Sequence, residues 1–116
     1  MSIAYWIVAG LTAVAFLGTG LMKSILKRET ILQNKDLGWA SDFSEQQIKL
    51  IGFAEVLGAA GLILPPAFGV AKWLHVPAAI GLVILMLGAA NTHRKRKEPV
   101  VPPLVLGLLA LVSIFL

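Results

Sequence analysis

The chain has 116 residues, of which 58% are hydrophobic and 14% charged, with a formal net charge of +4 and a mean hydropathy of +0.86. Ordinary soluble domains carry about a quarter charged residues, and a fold this short keeps too much surface to hide so much apolar side chain, so lipid must be the solvent for much of the chain. The absence of cysteine excludes disulfides, thiol redox chemistry and thiolate metal ligands.

Four apolar stretches follow one another. The first, Ile3 to Met22, is interrupted only by Thr12 and Thr19. About 20 residues at a rise of ~1.5 Å cross the ~30 Å hydrocarbon layer, which predicts a helix over 3–23. It lacks a basic leader and a small-residue cleavage site before Lys23-Ser24, and so reads as a span and not as a signal peptide. The second stretch, Ile48 to Leu64, holds one charge, Glu55, within a predicted helix over 44–64. Ser44 and Gln47 form a capping box at its start, with Phe43 placed to staple onto Ile48, and Leu64-Pro65-Pro66 is its expected stop. The third stretch, Leu74 to Ala90, predicts a helix over 74–93 with Pro77 in its first turn. The fourth, Val100 to Leu116, predicts a helix over 100–116 entered through Pro99, Pro102 and Pro103. The expected fold class is all-α, an integral membrane four-helix transmembrane bundle forming one domain over 1–116.

The basic residues set an expected orientation. If helix ends alternate sides, Lys23, Lys27, Arg28, Lys35, Lys49, Arg94, Lys95, Arg96 and Lys97 share one side, and only Lys72 lies on the other. The positive-inside rule then puts both long connections in the cytoplasm of a bacterial-type plasma (inner) membrane, with both termini outside. Tyr5, Trp6 and Trp73 are expected at the outer interface and Trp39 near the inner one. The run Arg94-Lys95-Arg96-Lys97 reads as a topology anchor on anionic headgroups and not as a nucleic-acid site, because it is short and tied to a helix end.

Glu55 is the sharpest chemical signal. A carboxylate in lipid is costly, so such groups face the bundle interior and find a partner. Gly52 and Ala59 share its helical face, and small residues there admit a close neighbouring helix. Lys23, ending the first apolar stretch, is the expected cation. Asn91 and His93 close the third helix at a similar depth, and imidazole is the side-chain type that ordinarily changes charge near neutral pH. Lys23, Glu55, Asn91 and His93 are therefore the candidates for ligand binding or proton exchange, gathered in a polar pocket open toward the cytoplasm. Beside this stand plainer expectations: a structural Lys23–Glu55 pair, Asn91 as a helix cap, Thr12 and Thr19 bonded to their own helix, and Gly58, Gly61, Gly81, Gly88 and Gly107 as packing positions. No phosphate-binding glycine loop and no HExxH motif is present, and Glu55 with one or two histidines is too small a ligand set for a metal.

The order of these features resembles the DoxX-like family of small four-helix membrane proteins. The matching pieces are Gly20-Leu21-Met22-Lys23, Trp39 with Asp42-Phe43-Ser44, Lys49-Leu50-Ile51-Gly52, Glu55-Val56-Leu57-Gly58, Leu62-Ile63-Leu64-Pro65, and Gly88-Ala89-Ala90 with Thr92-His93, before a basic loop and a proline. The resemblance points to the same polar positions, Lys23, Glu55 and His93. It implies an association with quinone-dependent sulfur oxidation and oxidoreductase complexes, or, from more distant relatives, with assembly of other membrane proteins.

Two readings of different class follow. In one, the chain is a membrane subunit that binds a lipophilic small molecule of quinone type, held non-covalently, with electrons supplied by a partner. In the other, it is a non-catalytic scaffold or assembly factor for another membrane protein, which leaves room for a protein partner or a second copy of the chain. A stand-alone enzyme is the least supported reading.

Overall fold

The structure, a computed structural model, describes the backbone of residues 1–116 and every side chain except those of Lys35 and Asp36. Lys35, counted above on the basic side, thus lies outside the described side chains. Four principal helices form the body: α1 (Ile3–Ile25), α3 (Glu45–Phe68), α4 (His75–Lys95) and α5 (Val101–Ser113). A one-turn helix, α2 (Arg28–Leu32), and a 3₁₀ segment, Lys35–Asp42, lie between α1 and α3. Helices α1 and α4 each pack against both α3 and α5, so the four close into a ring of antiparallel neighbours. The two chain ends meet at one end of that ring, where Ser2 Oγ donates to the Leu116 carbonyl at 3.0 Å.

The bundle is a multi-pass membrane fold. Helix α1 has 23 residues and α3 has 24, and α4 with the turn before it has 24 apolar-rich residues, each long and apolar enough to span a bilayer. Along α1 the exposed apolar residues Ile3, Ile7, Leu11, Val14, Leu21 and Ile25 recur at helical spacing and form a lipid-facing stripe. The opposite face buries Tyr5, Ala9, Thr12, Ala13, Phe16 and Gly20 against the other helices. Both faces are apolar, and the inner one is distinguished by small residues, as expected where packing and not water drives helix association.

The helix ends combine confirmation and correction. Ser44 accepts from Gln47 N–H at 3.1 Å while Gln47 Oε1 accepts from Ser44 N–H at 2.9 Å, so the capping box is formed. The stop expected at Leu64 is not made. Helix α3 runs through Pro65 and Pro66 to Phe68 and ends at Gly69, whose φ of 67° is the left-handed conformation a glycine adopts without penalty. The two prolines offer no N–H to the carbonyls of Gly61 and Leu62, four residues back. Tyr5 makes good one of these losses by donating its hydroxyl to the Leu62 carbonyl at 2.6 Å. Tyr5 is therefore fully buried, with His75 edge-on to its ring at 5.3 Å.

The fourth helix is shorter than the predicted 100–116. Helix α5 has 13 residues, about 20 Å at 1.5 Å per residue, less than the hydrocarbon layer. Pro102 and Pro103 lie in its first turn, where no N–H is needed. At the far end the N–H groups of Ile114, Phe115 and Leu116 bond three residues back to Leu111, Val112 and Ser113, tightening the helix to a close.

Glycine positions divide into two kinds. Gly20 and Gly52 mark the crossing of α1 and α3: a Cβ on Gly52 would lie 2.7 Å from the Gly20 carbonyl and 2.8 Å from Ser24 N. Gly58, Gly61 and Gly107 also face close neighbours, whereas a Cβ on Gly81 or Gly88 would meet nothing within 4 Å. The expectation that all five serve packing therefore fails at Gly81 and Gly88.

Candidate functional site

At the end of the bundle opposite the termini, the ring borders a partly open cavity of about 470 Å³. That volume falls within the roughly 300–1,000 Å³ of small-molecule sites. Most of its wall is apolar, with Met22 from α1, Ile51 from α3, Met86 from α4, and Pro103 and Leu106 from α5. The polar groups are few: Thr19, Lys23, Glu55, Thr92 and His93.

Glu55 is wholly buried, and both of its carboxylate oxygens are engaged by α1. Lys23 Nζ donates to Oε1 at 2.5 Å, and Thr19 Oγ1 donates to Oε2 at 2.5 Å. This geometry follows from local structure. Thr19 and Lys23 are one turn apart on a single face of α1, and the Gly20–Gly52 crossing brings that face close enough for both to reach α3. The ammonium of Lys23 also lies 5.0 Å from the centre of the Trp39 ring, a cation–π contact that places positive charge over the aromatic face. Trp39 is thus part of the cavity wall.

His93 lines the same cavity from α4. Its Nδ1 lies 3.0 Å from Glu98 Oε1, and Arg96 Nε lies 3.4 Å from that same oxygen. Asn91 does not join the group. It is exposed two residues earlier on α4, and its Oδ1 accepts from Arg94 Nη2 at 3.0 Å. It does not cap the helix either, because α4 continues to Lys95. Three of the four candidates therefore surround one cavity, and the fourth faces away.

The connection between α1 and α3 supplies part of the wall at the expected mouth of the cavity, which stays partly open. Leu37, Trp39 and Phe43 contribute to the cavity wall. Ile31, Ala40 and Ile48 form a small core beneath them, with Phe43 packed against it. Arg28 holds the segment by donating to the Phe43 carbonyl at 2.8 Å and the Ser41 carbonyl at 3.1 Å. From the other side Arg96 reaches Asp42 Oδ1 at 3.0 Å and Ser41 Oγ at 3.3 Å. Among the described residues, no group of three or more His, Cys, Asp or Glu side chains is placed to hold a metal ion.

A model of the DoxX-like family matches residues 7–115. The chain belongs to the DoxX-like family. No curated protein and no solved structure matches it.

Sequence reasoning about this DoxX-like chain missed three residues of the site. Thr19, expected to bond its own helix, does contact the Phe16 carbonyl at 3.4 Å, but its shorter bond is to Glu55; its position four residues before Lys23 is the signal that both share a face. Trp39 lies in a polar connection without helical periodicity, so nothing in the local pattern places it on the cavity wall. Glu98 carried no signal beyond being the one acidic residue in the basic loop, and only the backbone turn after α4 brings it to His93.

Proposed function

We propose that this DoxX-like protein is a membrane subunit that binds a neutral lipophilic small molecule, a quinone being the type that fits the family, and works with an oxidoreductase partner that supplies electrons. The observation that carries this reading is the cavity itself: an apolar chamber of drug-like volume whose wall holds a self-neutralised ion pair and one histidine. An apolar lining with a few convergent polar groups is the usual form of a small-molecule site. A protein that used Lys23 and Glu55 only to fix helix register would have no need of a chamber beside them. Within this reading Lys23 and His93 contact the ligand, Thr19 and Glu55 hold Lys23 in place, and Asn91 has no part. The proposal keeps the bacterial-type plasma membrane and places the termini outside, since the basic residues gather at the other end of the ring. Labelling from outside intact cells of a cysteine placed at Lys97 would reverse that orientation.

The scaffold reading has one observation in its favour. Both oxygens of Glu55 are satisfied within the protein, as they would be in a purely structural pair. Native mass spectrometry of the protein, extracted gently from its own membranes, separates the two. A reproducible extra mass of a lipophilic small molecule, reduced in Glu55→Gln, is the expected result. Bare polypeptide, bulk phospholipid alone or a second polypeptide would replace the binding reading with the scaffold one.

A further inference from the structure

Helix α4 ends without a glycine. Lys97 takes the left-handed conformation instead, with φ of 58°, where a side chain carries strain. Its N–H bonds to the Arg94 carbonyl at 3.1 Å, and the Glu98 N–H bonds to the His93 carbonyl at 2.8 Å. These are the two bonds of a Schellman turn, and they fold Glu98 back over the residue whose carbonyl it caps. The carboxylate reaches His93 Nδ1 for that reason.

A carboxylate only accepts hydrogen bonds, so Nδ1 must carry the hydrogen, and a neutral imidazole then has its lone pair on Nε2. No described residue engages Nε2. Because no buried side-chain nitrogen or oxygen among the described residues lacks a partner, Nε2 is an accessible atom on a cavity-lining residue. The charges around the chamber leave little for an ionic ligand. Lys23 of α1 and Glu55 of α3 cancel one another, Arg96 beside Glu98 is shared with Asp42, and α5 contains no titratable side chain.

We propose that Glu98 fixes His93 in one tautomer, that Nε2 accepts a hydrogen bond from the ligand, and that the ligand is therefore a neutral lipid-soluble molecule carrying a hydroxyl group. A hydroxyl donates to Nε2 and can also accept from Lys23. Of a quinone couple it is the reduced quinol that carries such hydroxyls; a molecule with only ether or carbonyl oxygens, the oxidised quinone included, leaves the Nε2 lone pair unmatched. This inference rests on the reading of the chamber as a ligand site. Glu98 acts here as a positioning residue, through His93.

The test compares para-nonylphenol with its methyl ether, binding to the full-length protein in detergent, by calorimetry at mildly alkaline pH. The phenol should bind about tenfold more tightly than the ether, the scale of one well-placed hydrogen bond in an apolar site. His93→Phe should bring the two within about twofold of each other, by loss of that same bond. Glu98→Gln, a change outside the helix bundle, should narrow the gap because an amide can also donate to Nδ1. Equal binding of phenol and ether to the wild type, or a gap that survives His93→Phe, would overturn the inference and leave the chamber as a ligand site. Failure of both compounds to bind would remove both.

Discussion

Tyr5 and Leu62 are joined by a hydrogen bond of 2.6 Å that replaces one the helix cannot make. Pro66 has no N–H to give the Leu62 carbonyl, and in an apolar bundle no water is at hand to take its place. The hydroxyl of Tyr5, projecting from the first turns of α1, supplies the donor.

Tyr5→Phe should therefore destabilise the protein by about 1–3 kcal/mol, the range for leaving a buried acceptor unpaired. Thermal unfolding in detergent measures this. The same substitution made in a Pro66→Ala background, where the backbone N–H is restored, should have a much smaller effect. A double-mutant cycle with no coupling between the two positions would refute the account.

The two classes of glycine predict opposite signs. Gly52→Ala places a methyl group 2.7 Å from the Gly20 carbonyl and 2.6 Å from Lys23 Cβ, and backbone at a helix crossing yields little. Overpacking of this kind costs about 1–3 kcal/mol. Gly81→Ala meets open space inside α4 and should stabilise by about 0.5–1 kcal/mol through helix propensity. Melting temperatures of the two variants must move in opposite directions; a shared sign would show that the crossing is looser than its geometry.

Much of the fold was legible because the bilayer imposes a coarse rule. Three apolar stretches of spanning length, the Ser44–Gln47 box and the prolines opening α5 needed no knowledge of neighbouring helices. Lys23 with Glu55 was legible for the same reason, since a lone acid inside an apolar helix demands a partner. What escaped depended on contacts distant in sequence. The passage of α3 through Pro65 and Pro66 coincides with the bond to Leu62 from Tyr5, 57 residues away. The mouth of the cavity is built by Leu37 and Trp39, in a polar connection without helical periodicity. Asn91 was misplaced by rotation: two residues along a helix turn a side chain by more than half a revolution, so it and His93 cannot share a face.

The Lys23–Glu55 pair allows structural and functional roles to be separated. Glu55→Ala strands the ammonium of Lys23 beside an apolar wall, and breaking a buried pair from one side costs about 3–5 kcal/mol. Replacing both partners together, as Lys23→Met with Glu55→Leu, removes the charge and its desolvation at once and should recover most of that loss. Unfolding in detergent reads the stability, and native mass spectrometry on the same samples reads the ligand. Recovery of both stability and bound mass in the double variant would mean that the pair only holds α1 to α3. Recovery of stability without the bound mass is the expected outcome, because the apolar pair restores the packing of the wall while taking away Lys23, the lysine that lines the chamber among the described residues.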